Sequence, residues 1–248
     1  MENQPPVQYT EYPRGAIEPR IRMEVIGEAW KFLLAAPGQW IAATFLMLLV
    51  ALLFGAPLYV LGMMQILGKR NPDVADIMLM YAFMIPAGLL LYVGQAIGFG
   101  GMYHMALKQI QGEPVQLKDM FSLGGSSVFA HIAVGFVISV GVVIGSFACY
   151  LPAFLIGGLL MFSQPMLIHQ KIGPWAALSQ SWNILKKHIW MAAAFYLVIT
   201  LIASLGAVAC GIGMLFSYPL YPLAVSLVYR DFMQAMYGQQ VPTVEPSR

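Results

Sequence analysis

Charge is what this sequence lacks most. Only 10% of its 248 residues are Asp, Glu, Lys or Arg, while 59% are hydrophobic; soluble domains carry about a quarter charged residues. So few charges cannot cover the surface of a water-soluble fold of this length. No acidic or basic residue occurs in residues 32–68, 77–107, 120–170 or 188–229. With no mid-run acidic group, proton- or sodium-coupled transport has no coupling residue. The runs also lack the alternating polar and apolar pattern of barrel strands, which leaves helices as the way to cross lipid with the backbone satisfied.

A helix crosses a ~30 Å hydrocarbon core in roughly 20 residues. The first two runs hold one span each and the last two hold two each, broken at Tyr150-Leu151-Pro152 and Gly211-Ile212-Gly213. The fold class expected is an all-α, polytopic helical membrane bundle of about six transmembrane helices. With an inside N-terminus, eleven Lys and Arg fall on the inner side and two, Lys69 and Arg70, on the outer side. That asymmetry follows the positive-inside rule and predicts both termini in the cytoplasm. The net charge of +2 follows this topology and gives no reason to expect nucleic acid as a partner. The predicted organisation is a flexible tail at 1–20 with no signal-peptide core, one membrane domain at 21–238, and a second tail at 239–248.

Three amphipathic segments precede the hairpins. In residues 21–36, Ile21, Val25, Ala29, Phe32 and Leu33 share one helical face, the pattern of a helix lying in the membrane interface. Residues 114–126 and 174–187 follow suit, the latter opening on Pro174. A gapless shift of 61 residues aligns Leu117 with Leu178, Phe121 with Trp182, Phe129 with Trp190 and Gly145 with Gly206. With a two-residue insertion at Pro37-Gly38 the first unit joins, Trp30 matching Trp182 and Trp40 matching Trp190. The chain therefore reads as three repeats of an interfacial helix followed by a two-span hairpin.

The segments AWKFLLAAPGQW, ALSQSWNILKKHIW and YPLAVSLVYRD, with Gly112-Glu113 and Tyr229-Arg230, resemble a broad group of bacterial multi-span proteins. These are the DUF4013-like proteins and those named after the membrane domain of glycerophosphodiester phosphodiesterases. The resemblance covers most of residues 25–232 and implies a helical membrane fold without a settled activity. The phosphodiesterase catalytic barrel carried by some relatives has no counterpart here, so it implies no enzymatic role.

Few side chains stand out as candidates. His104 and His131 are expected at similar depth near the inner boundary, where two facing histidines could bind a metal or cap a tetrapyrrole. Without a neighbouring Cys, Asp or Glu the ordinary reading is an interfacial histidine bonded to backbone or headgroups, with no metal and no cofactor. Gln95 and Gln164 are the main amides within spans, and each reads as a helix tie or a substrate contact. Gly94 with Gly98 and Gly141 with Gly145 have the GxxxG spacing of close helix packing. Gly98 to Gly101 is no dinucleotide loop, because it lies inside a span with no βαβ unit around it. Cys149 and Cys210 fall at the outer ends of odd spans, where either a disulfide or two apolar thiols fits.

The function expected from this pattern is a non-enzymatic scaffold, accessory or assembly protein binding membrane lipids, other membrane subunits or itself. A transporter or channel for a lipid-like or small neutral solute, using Gln95, Gln164 and helices kinked at Pro86, Pro165, Pro219 and Pro222, is the second reading. A lipid-headgroup enzyme with His104 or His131 as base and Tyr103 nearby is the third.

Overall fold

The computed structural model describes residues 19–67, 69, 71–147, 150–208 and 213–237. Both cysteines and nearly all of the two predicted tails lie outside these residues. Helices make up 84% of the structure and no strand occurs among the described residues: the chain is an all-α polytopic bundle.

Among the described residues five helical stretches are long and apolar enough to cross a membrane: Pro37–Met64, Val74–Ile110, Val128–Phe147, Leu151–His169 and Pro174–Gly206. The first comprises α2 (Pro37–Val50), a π-helical turn (Ala51–Gly55) and α3 (Ala56–Met64), after α1 (Val25–Ala35). Pro57 lacks an N–H and its ring crowds the carbonyl four residues back, which accounts for a widened turn at this place. Next comes α4 (Val74–Ile110), about 55 Å long at 1.5 Å per residue. It starts with a capping box between Asp73 and Asp76 and ends where Gly112 takes a left-handed φ of 83°.

The remaining helices are α5 (Asp119–Ser122), α6 (Val128–Phe147), α7 (Leu151–Leu160), α8 (Ser163–His169), α9 (Pro174–Leu185), α10 (Ile189–Val208), α11 (Met214–Ser217) and α12 (Leu220–Tyr237). The sixth predicted span corresponds to α11 and α12. Its charge-free part, residues 214–229, covers only about 24 Å as helix and is interrupted at Tyr218-Pro219 before Arg230 and Asp231. This segment is also buried in protein, with Leu223, Ala224, Val225 and Leu227 wholly enclosed. Among the described residues the α11–α12 segment thus falls short of the helix length that marks the other five candidate spans.

The order of elements follows the three predicted repeats. Gly145 and Gly206, matched by the 61-residue shift, occupy equivalent places. A Cβ on Gly145 would sit 2.5 Å from the backbone nitrogen of Ala153, and one on Gly206 would strike the backbone at Gly213 and Met214. In each hairpin a glycine admits the start of the following helix. The matched aromatics Trp30, Phe121 and Trp182 are all exposed.

The amphipathic helices depart from the interfacial reading. Ile21, Val25, Ala29, Phe32 and Leu33, the predicted lipid-facing stripe, are at most 4% exposed, because α1 lays that face on α12. An apolar stripe needs only a dry partner, and α12 offers one. In α9 likewise Ala177, Leu178 and Leu185 are buried, while Trp175 and Trp182 face outward. The core accordingly lies at the end of the bundle that carries α1, α5, α8, α9 and the last third of α4. Trp40, Tyr103, Phe162, Phe195, Tyr229 and Phe232 fill it. The opposite end is thin: α3 packs chiefly on α4, and Val60, Met64, Met78, Ile85 and Leu89 are exposed.

Candidate functional site

Glycines determine what α4 can touch at its buried end. A Cβ on Gly98 would lie 2.6 Å from Cε of Met47, and one on Gly100 would lie 2.7 Å from Nδ1 of His131. One on Gly101 would collide with the carbonyl of Met120. Three elements, α2, α6 and α5, thus reach the α4 backbone at three nearly consecutive glycines. Gly94 faces Val50 of α2, Gly141 faces Ile156 of α7, and Gly145 faces the start of α7. Both GxxxG pairs are therefore used within the chain.

Gly100 leaves room for His131, and His131 meets Gln164. The His131 Nδ1 lies 2.6 Å from Gln164 Oε1, and both residues are buried. A carbonyl oxygen only accepts, so Nδ1 carries the proton. The other nitrogen, Nε2, is 2.6 Å from Ser126 Oγ, and Gln164 Nε2 donates to the His131 carbonyl at 3.5 Å. Next to this group the Tyr92 hydroxyl donates to the Ile132 carbonyl at 2.7 Å. Two residues that the sequence offered separately form one contact tying α6 to α8.

His104 is occupied elsewhere. Its Nδ1 donates to the Asp119 carbonyl at 2.9 Å and lies 2.8 Å from Ser122 Oγ. The Asp119 carboxylate accepts from Lys108 Nζ at 3.0 Å and from the Gln116 N–H at 2.8 Å. Burial pushes the Asp119 carboxyl up, but the Lys108 hydrogen bond, the Gln116 N–H and the charge of Lys108 outweigh it and hold the pKa below 3.8. This cluster clamps α5 on α4. The two histidines have separate partners, and among the described residues no group of three His, Cys, Asp or Glu side chains could hold a metal ion.

Gln95 accepts a 3.0 Å hydrogen bond from the Tyr218 hydroxyl. Below it the rings of Tyr103 and Tyr196 each stand edge-on to that of Tyr221, with centroids 6.4 and 6.1 Å away, which places Tyr103 in a buried aromatic cluster. Gln95 also lines a crevice of about 160 Å³ between α2 and α4, walled by Met47, Val50, Leu90 and Gly94, with Met120 and Phe121 at one end.

Several working residues left little trace in the sequence. Trp40 donates from Nε1 to Gln109 Oε1 at 2.8 Å, and Gln109 Nε2 donates to the Phe32 carbonyl at 2.7 Å, all buried. Arg230 donates to Asp231 at 2.7 Å and to Glu28 at 3.4 Å, while Arg22 reaches Asp231 at 2.6 Å. Tyr229 accepts from Gln170 at 3.3 Å and its hydroxyl lies 3.0 Å from His169 Nδ1. Tyr229-Arg230, noted as a closing motif, thus joins α12 to α8 and to α1. The chain matches no protein-family model, no curated protein and no solved structure.

Proposed function

We propose that this is a non-enzymatic integral membrane protein of a bacterial inner membrane, with both termini cytoplasmic, that acts as an accessory or assembly component through helix and lipid contacts. One observation carries the reading: the outer part of the α3–α4 hairpin has little besides itself for a neighbour, and its apolar side chains, among them Ile85 and Leu89, face out of the bundle. The polar side chains point the same way. His131, Gln164, Gln109 and Asp119 hold helices to one another, which is the use expected of buried polar groups in lipid. Arg20, Lys31 and Lys118 are exposed at the end where the core lies, a placement suited to anionic headgroups at about 1 kcal/mol each.

The test is a photo-crosslinking residue placed at Ile85 or Leu89 in native membranes, with Val143 on α6 as the reference. Adducts of one defined protein mass at the hairpin, absent at Val143, are the expected result. Lipid adducts alone at all three positions, with a lone monomer in mild detergent, would overturn the reading.

A further inference from the structure

We infer that the crevice between α2 and α4 holds one acyl chain of an anionic phospholipid, with the headgroup near Lys118. This rests on the lipid-contact reading above and gives it a place.

The crevice is bounded. At its outer end Gly55 and the side chain of Leu91 touch so closely that a Cβ on Gly55 would overlap that leucine. Past Gly98 its inner mouth is lined by Met120 and Phe121 of α5. From Leu90 to Gly98 the α4 wall is about 12 Å long, most of the ~15 Å depth of one leaflet's hydrocarbon. Its sides belong to two membrane-spanning helices, so the medium at its opening is lipid. The volume of about 160 Å³ is close to that of an apolar cavity which holds one benzene ring. It takes a stretch of about six carbons and excludes a second chain.

Two polar features select the kind of lipid. Gln95 is the one polar side chain on the wall; its oxygen is held by Tyr218, while its amide nitrogen has no acceptor among the described residues. The ester carbonyl at the head of an acyl chain is such an acceptor. Lys118 is exposed and immediately precedes the helix that carries Met120 and Phe121. Lys108 is paired with Asp119, whereas the exposed Lys118, two residues before Met120, is open to a headgroup phosphate.

The experiment uses the full chain in nanodiscs of phosphatidylcholine with 10% of a phosphatidylglycerol whose acyl chain carries a diazirine. After irradiation, labelled peptides are quantified by mass spectrometry. Label concentrated several-fold on residues 46–51 and 90–98 over residues 136–147 is expected. Gly94→Leu, which fills the crevice, should abolish that excess, and Val50→Trp, which fills it from the other wall, should do the same. Lys118→Glu should lower it for phosphatidylglycerol while leaving a phosphatidylcholine probe unchanged. Even labelling of all lipid-facing helices, or an excess that survives both filling substitutions, overturns the site. The hairpin cross-links at Ile85 and Leu89 are read independently, so a failed crevice and a failed accessory role give different results.

Discussion

Gln164 on α8 and His131 on α6 are hydrogen-bonded through Oε1 and Nδ1 at 2.6 Å, 33 residues apart in sequence and both shut inside the bundle. Each satisfies a group that would otherwise be buried without a partner. Removing one side should therefore cost more than the bond itself contributes. His131→Leu and Gln164→Leu are each expected to destabilise the protein by about 1–3 kcal/mol. The double variant should lose clearly less than the sum, because no orphan remains. Thermal unfolding in detergent measures all three; additive losses would show that the two residues act independently.

The glycines of α4 make a sharper contrast. A methyl on Gly101 meets the Met120 carbonyl, a backbone atom that cannot turn aside, whereas one on Gly88 meets nothing within 4 Å. Gly101→Ala should lower stability by more than about 2 kcal/mol through displacement of α5. Gly88→Ala should be neutral or stabilise by up to about 1 kcal/mol, since alanine is the better helix former. Equal effects at the two positions would contradict the close approach of α5.

Asp119 predicts a pH dependence. Its folded pKa lies below the ordinary carboxyl value, so its contribution is whole above about pH 5, where the unfolded chain is ionised as well. It declines as pH falls through the lower, folded value. Wild type should be more stable than Asp119→Asn from pH 7 to about 5, with the gap closing below that. A gap that stays constant down to pH 2 would show that Lys108 and Gln116 do not favour the ionised carboxyl.

Arg230 is 7% exposed and joins α12 to Glu28 on α1. Arg230→Met keeps the apolar stem and removes the charge-assisted bonds. A loss of roughly 1.5–3 kcal/mol is expected, together with faster proteolysis at the Ala36-Pro37 junction as α1 comes away. Unchanged protease resistance would mean that the apolar face of α1 alone secures it.

Orientation is tested with single cysteines in a background free of Cys149 and Cys210. Lys69→Cys should react with an impermeant maleimide from the outside, and Lys186→Cys only after the membrane is opened. Labelling of both from one side would contradict the topology drawn from the positive-inside rule.

The sequence made the helices legible because lipid imposes a coarse requirement: long charge-free runs must become helices wherever they lie. The repeat showed for a related reason, since Gly145 and Gly206 answer the same close backbone approach. Partner choice was harder to read. Periodicity placed Ile21, Val25, Ala29, Phe32 and Leu33 on one face but could not distinguish lipid from α12, as both are apolar. His131 and Gln164 could each be picked out as polar groups in an apolar run. Their meeting depends on how α6 and α8 are rotated, which no local pattern records. Trp40 stood out only as the repeat partner of Trp190, and its bond to Gln109 went unread because it depends on how α2 and α4 are rotated against each other.

Among the described residues most of the buried hydrogen bonds between helices sit at one end of the bundle, whereas α4 runs on for about 55 Å with α3 as the chief neighbour of its far portion and a Lys69–Asp76 ion pair as a tie there. Bilayers differ in thickness by several ångströms, and a span responds by leaning. In this molecule the lean falls to the two-helix arm, while the glycine-seated, hydrogen-bonded base keeps its shape. A thicker or thinner membrane is therefore expected to change the angle between arm and base more than the shape of the base itself.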